Sequence, residues 1–168
     1  MTAPPIAERF IAEFEAHRKI LYKVAAMYCA NPADRQDLMQ EIVVQLWRSF
    51  PNFDARSRFS TWMYRVALNV AISWVRTDHR RRAHTVDADS AVMDTALADA
   101  AAGDMPPELA ALFAEFVSRL GELERALLLL YLEGSDHATI AAILGISSSN
   151  VATKIARLKQ RLQSEIAP

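Results

Sequence analysis

The chain has 168 residues, 52% of them hydrophobic, with four Gly, seven Pro and a formal net charge of −1. That length suits one domain or two small ones, and the composition supports a packed core while arguing against general disorder. A lone cysteine, Cys29, excludes an internal disulfide framework, and no apolar run approaches the ~18 residues of a membrane span. No basic region followed by an apolar stretch opens the chain, so no signal peptide is expected and the protein reads as soluble and cytoplasmic.

Helical periodicity dominates and no sustained two-residue alternation is present, which predicts an all-α fold. A first helix is expected from about Pro5 to Ala30, with Phe10, Phe14, Leu21, Val24 and Tyr28 near one face. Asn31-Pro32 ends it, because the residue before proline avoids the α region. A second helix begins near Ala33, turns Leu38, Ile42, Leu46 and Trp47 inward, and stops before Pro51. After a loop over Pro51–Arg58, a third helix runs to about Arg81 with Ser60 as its N-cap. These three helices close one small core, in a domain spanning 1–83.

Residues 84–106 form a seam. They are rich in Ala and Asp, lack aromatic residues and end in Gly103-Asp104-Met105-Pro106. Such a tract cannot bury enough apolar surface to offset its ordering entropy, and it is expected to be an acidic flexible linker with at most a transient helix around 92–101. Four short helices follow in a second domain, 107–168, at roughly 107–119, 122–133, 136–144 and 147–164.

Charge is segregated beneath the neutral total. Residues 56–84 carry seven Arg and one acid, Asp78, whereas 85–108 carry six acids and no base, and 147–163 carry four bases and no acid. The first basic block interleaves its arginines with Phe59, Trp62, Tyr64 and Trp74. Rings beside guanidiniums suit unstacked bases and phosphates. The same pattern also describes an amphipathic core helix with a solvated basic end. Trp62 and Trp74 favour packing over a wedge role, because helical aromatics usually fill a core.

The second basic face belongs to a helix-turn-helix. Ala141 lies on its first helix, Gly145 supplies the positive φ of the turn, and Val151, Ile155, Leu158 and Leu162 form the buried stripe of the second. Ser147 is placed to cap that helix. Ser148, Ser149, Asn150, Thr153, Lys154, Arg157, Lys159 and Arg161 remain for its exposed face. A helix of this kind enters the DNA major groove with its N-terminal side chains at base edges and its cations on phosphates. A helical hairpin with a soluble face is the plainer alternative.

Two motifs in series then resemble one family. Leu38-Met39-Gln40-Glu41 through Trp47-Arg48 and Phe53-Asp54-x-Arg56-Ser57-x-Phe59-Ser60-Thr61-Trp62-Met63-Tyr64-Arg65-Val66-Ala67-x-Asn69 resemble region 2 of extracytoplasmic-function sigma factors, within the sigma-70 family. Leu127–Gly134, Ile140-Ala141-x-x-Leu144-Gly145-Ile146-Ser147 and Val151 resemble region 4. The matches cover about 35–83 and 107–163, in the family's order around a variable linker.

The resemblance implies a dissociable subunit of bacterial RNA polymerase that directs promoter recognition, DNA melting and transcription initiation. Its partners would be core RNA polymerase, promoter DNA and an anti-sigma factor. Asp37, Leu38, Gln40 and Glu41 match the polymerase-binding motif. For the −10 element, Asn52, Phe53, Ser57 and Phe59 would receive an extruded base, whose unstacking costs a few kcal/mol. Arg65, Asn69, Arg76 and Arg80, near whole helical turns, would follow one strand. Region 4 would read the −35 element through the eight residues of the exposed helix face. The acidic linker would pass through the polymerase channel toward the RNA exit path. Where the family often reads Gly-Thr-Val-Lys-Ser, this chain has Ser149-Asn150-Val151-Ala152-Thr153, which loses a lysine and adds an amide suited to adenine. His137 replaces a usual Tyr.

A stand-alone helix-turn-helix regulator is the alternative function, although it leaves 35–83 unexplained. An RNA-binding module is a second, without any sheet-based RNA signature. An enzyme is not expected: there is no Gly-rich phosphate loop or nucleophile elbow, and the four His lack ligand spacing. No catalytic residue, cofactor, metal, membrane or small-molecule substrate is assigned.

Overall fold

The computed structural model describes residues 2–82 and 105–167, the side chains of 79–82 excepted. Among the described residues every regular element is helical: α1 (Ile6–Tyr28), α2 (Pro32–Ser49), a 3₁₀ turn (Phe50–Asn52), α3 (Phe59–Arg82), α4 (Pro107–Ser118), α5 (Glu122–Leu132), α6 (His137–Leu144) and α7 (Ser148–Ile166). The expected linker lies almost wholly outside the described residues, as does the transient helix placed within it.

Local chemistry sets the boundaries. Asn31 ends α1 and caps α2, its side-chain oxygen accepting from the amides of Ala33 (2.8 Å) and Asp34 (3.4 Å). Pro32 therefore occupies N1, where its missing N–H costs nothing. At α3 the expected cap is displaced. The Arg58 carbonyl accepts from the Trp62 amide at 3.1 Å, so the helix starts at Phe59 and Ser60 falls inside the first turn. Burial of Phe59 fixes that earlier start.

The first three helices pack through Leu21, Val24 and Ala25 on α1, Leu38, Ile42 and Leu46 on α2, and Met63, Ala67, Leu68 and Ala71 on α3. Alanines at the contact let the α3 backbone approach closely. An aromatic cluster closes one end: Phe50 meets Phe10 at 5.3 Å between centroids, and Phe53 meets Trp62 at 5.2 Å. Trp62 is thus a packing residue. Trp47, expected inward, is instead 43% exposed and gives only its edge to Phe10.

The two helical groups do not stand apart. They share one continuous buried cluster, because α5 is apolar nearly all round and buries Ala126 through Leu130. One side of α5 packs on α7 and the other on α1 and α3. Polar groups close the seam. The Tyr28 hydroxyl donates to the Glu122 carbonyl at 2.7 Å, and Lys23 meets Glu133 at 2.7 Å. Arg125 donates to the carbonyls of Met27 (3.2 Å), Leu120 (3.2 Å) and Ser118 (3.4 Å). Burial pushes the Tyr28 phenol well above its usual pKa and draws the Arg125 guanidinium downward.

Candidate nucleic-acid interface

Helix α2 presents one polar stripe to solvent. Its buried residues Leu38, Ile42 and Leu46 recur every fourth position, so 37, 40, 44 and 47 share the opposite face. Asp37, Gln40 and Glu41 are exposed as expected. Leu38 is fully buried and is corrected from a contact residue to a core residue, since no partner can reach it. Val44, 42% exposed, and Trp47 extend the stripe. Sequence reasoning missed Val44, although its spacing from Asp37 and Gln40 would have found it.

Between α2 and α3 runs an open cleft of about 640 Å³, lined by Glu41, Gln45, Ser49, Val66, Asn69, Val70, Ser73, Trp74 and Thr77. It brings the exposed amide of Asn69 beside the carboxylate-bearing face of α2. Trp74 is half-buried in its wall, in keeping with a packing role.

The Pro51–Arg58 loop is held by local contacts. Asp54 accepts from the Arg56 amide at 3.1 Å and pairs with its side chain at 3.1 Å. Ala55 adopts φ 60°, a left-handed conformation unusual for a residue with a Cβ. Asn52 and Ser57 are exposed. Phe59 is 5% exposed, locked edge-on to Phe53 at 5.7 Å. Its ring therefore supports the loop and is not open to a base. Half-buried Phe53 and buried Phe50 floor a second cleft of about 490 Å³ on the α1 side, where Arg9 lies 5.9 Å from the Phe50 ring.

Arg65 and Arg76 both point to the second helical group. Arg65 donates to the Ala142 carbonyl of α6 at 3.2 Å, and Arg76 meets Glu122 of α5 at 2.7 Å. The side chain of Arg80 lies outside the described residues. Asn69 faces the α2–α3 cleft, so the four expected strand contacts do not all present to one open surface.

The helix-turn-helix forms as its sequence requires. Asp136 caps α6, accepting from the Thr139 amide at 2.7 Å, and these bonds hold its carboxyl below the usual range. Gly145 takes φ 70° and returns its amide to Ala141 at 2.9 Å. The two helices then diverge by 105°. No atom lies within 4 Å of a Cβ built on Gly145. Gly145→Ala is therefore expected to cost about 1 kcal/mol from backbone strain alone, read as a lowered thermal unfolding midpoint.

Ser147 caps α7 by accepting from the Asn150 amide at 3.1 Å. Val151, Ile155 and Leu158 are buried, and Leu162 is half-buried. Ser148, Ser149, Asn150, Thr153 and Arg157 are exposed, with Lys154 at their border. The other two expected contacts have partners within the domain. Lys159 lies 4.6 Å over the Tyr131 ring, and Arg161 pairs with Glu124 at 3.0 Å while covering Phe116. Both tie α7 to its neighbours while staying open to solvent, Lys159 exposed and Arg161 partly so.

Comparison with known proteins divides the chain at the same seam. Residues 14–82 match the sigma-70 region 2 family model and residues 110–162 the sigma-70 region 4 model. The chain is 29% identical over 143 residues to the ECF RNA polymerase sigma-E factor of Haemophilus influenzae, covering 80% of this chain and 76% of that protein. It is 24% identical over 162 residues to ECF RNA polymerase sigma factor SigW of Bacillus subtilis, covering 90% and 86%. Against SigE of Mycolicibacterium smegmatis it is 28% identical but spans only 59% of the relative's length. The fold is also that of sigma factor RpoE solved with the anti-sigma factor NepR from Bartonella quintana, at TM-score 0.77 and 20% identity over 95% of this chain and 97% of that one.

Proposed function

Because this chain belongs to the extracytoplasmic-function sigma factors, carrying sigma-70 regions 2 and 4, we propose that each expected role falls to a defined surface. As an alternative sigma factor it directs promoter recognition and transcription initiation. Sigma factors are regulatory proteins, and this one would act in the cytoplasm on core RNA polymerase.

The α2 stripe of Asp37, Gln40 and Glu41, widened by Val44 and Trp47, docks on the polymerase. An acidic-amide rim around an exposed Trp and Val suits a firm interface, in which buried aromatics dominate the binding energy. The −10 element is opened by the 51–58 loop with Arg65, Asn69 and Arg76. Asn52, Ser57 and Phe53 receive the extruded base, while Phe59 props the loop from beneath. The −35 element is read by α7. Asn150 takes the base-edge role, Ser148, Ser149 and Thr153 flank it, and Lys154 and Arg157 meet phosphates. An anti-sigma factor is the expected antagonist, competing for the α2 stripe.

One observation carries this reading. Two basic faces of different build sit on one chain: an aromatic-backed loop bearing exposed Arg56 and Arg58, suited to separated strands, and a capped helix suited to duplex DNA.

The test is reconstitution with core RNA polymerase on a promoter library. Holoenzyme formation with open complexes at a selected promoter class is expected, and the absence of both would refute the reading. Within that holoenzyme, Arg157→Ala should weaken −35 binding evenly across sequences and reduce the salt slope by about 1. Asn150→Ala should instead relax preference at one base pair.

A further inference from the structure

The exposed face of α7 carries an uncharged strip between its cations. Asn150, Thr153 and Ala156 follow one another at three-residue spacing, and all three are exposed. Side chains so spaced are neighbours on a helix, their Cβ atoms about 5–6 Å apart. Lys154 and Arg157 flank the strip.

Hydrogen bonding within the helix decides what the strip offers. The Thr153 hydroxyl donates to the Ser149 carbonyl, one turn back, at 3.0 Å. Its only hydrogen is spent there, so Thr153 has none to donate to an acceptor on a base. The same bond turns Oγ back along the helix and leaves the γ-methyl as the group that meets a ligand. Ala156, at the next turn, adds only another methyl and lets the helix approach closely. Asn150 differs: Ser147 takes its backbone amide at 3.1 Å, and its side chain stands in solvent.

The major-groove edges of the base pairs are polar with one exception, the 5-methyl group of thymine. An apolar group held at those edges therefore has a single complement. We infer that Thr153 reads a thymine by methyl–methyl contact, making it a specificity residue for a thymine close to the adenine taken by Asn150. The separation follows from geometry: neighbouring side chains about 5–6 Å apart reach base pairs about one or two steps of 3.4 Å apart. Guanine at that step presents acceptors to a residue with no hydrogen to give, and cytosine has no methyl to bury. The inference rests on the −35 assignment of α7 and deepens it from a surface to a base.

The test uses holoenzyme assembled with core RNA polymerase on a promoter it has selected. Each thymine of the −35 element is replaced in turn by deoxyuridine, which lacks only the 5-methyl, and binding is measured by competition. In the wild type one position is expected to lose about fourfold, the worth of one buried methyl. Thr153→Ser keeps the hydroxyl and its bond to Ser149 but lacks the methyl. It should bind thymine and uracil duplexes alike, near the wild-type value for uracil. Thr153→Val keeps a methyl and discards the hydroxyl, so the fourfold preference should survive.

A flat uracil scan in the wild type overturns the inference, as does a −35 element without thymine. So does a preference that persists in Thr153→Ser, or one that vanishes in Thr153→Val, where the hydroxyl would be the reader. Arg157→Ala separates the two levels. If it weakens −35 binding while the scan is flat, α7 lies on the element and only the methyl reading fails. If it leaves binding unchanged, the −35 assignment itself is wrong.

Discussion

Alanine at both Arg65 and Asn69 is expected to reduce promoter opening by about a hundredfold, the combined effect of one charge-assisted contact and one amide contact to DNA. Both side chains are exposed, and Arg65 reaches the Ala142 carbonyl. Folding should therefore be nearly unaffected, and so should holoenzyme formation, since both substitutions leave the α2 side chains intact. The loss should appear in strand separation, followed with a fluorescent base analogue in the −10 element. Each single variant separates the roles. Arg65→Ala should cost most at low salt and matter less as salt rises, because a phosphate contact has gone. Asn69→Ala should act with little salt dependence. Opening at the wild-type rate in the double variant would remove α3 from the melting mechanism.

How much of this was legible in the sequence depends on the range of the forces involved. The helices of region 2 and the helix-turn-helix were readable because caps, proline and apolar spacing act over a few residues. Asn31-Pro32, Ser147 and Gly145 all behave as their chemistry dictates. The misreadings arose where a distant partner decides the outcome. Leu38 sits between the polar residues of the acidic-amide motif, and only the packing of α2 on α1 and α3 turns it inward. Lys159 and Arg161 stay open to solvent on the same helix, but the contacts each makes with Tyr131 and Glu124 of another helix could not be read from its spacing.

The seam was the largest omission, though a signal for it was present. Ala126 to Leu132 is an unbroken apolar run, and a helix apolar on all sides requires neighbours on all sides. The small second domain covers only part of α5. The remainder had to be buried against α1 and α3, so a chain that reads as two tethered domains folds with them joined.

Arg125 is where that joining should be most vulnerable. Its guanidinium donates to three carbonyls, one at the end of α1 and two in the α4–α5 turn. Those carbonyls have no helical partner to return to, and burial has already removed much of the water that would replace the arginine. Arg125→Met preserves apolar volume but strands the acceptors, so a loss of about 2–4 kcal/mol is expected, a large part of the ~5–15 kcal/mol typical of a folded protein. Arg125→Lys should recover only a fraction, since one ammonium cannot span the three directions of a planar fork. Urea unfolding measures both, and an unchanged midpoint in Arg125→Met would show that solvent satisfies those carbonyls after all. The shape of the transition carries the functional consequence. With the seam intact, both helical groups should unfold together. Without Arg125 the two groups should unfold less cooperatively, because one of the bonds tying region 4 to the end of α1 has gone.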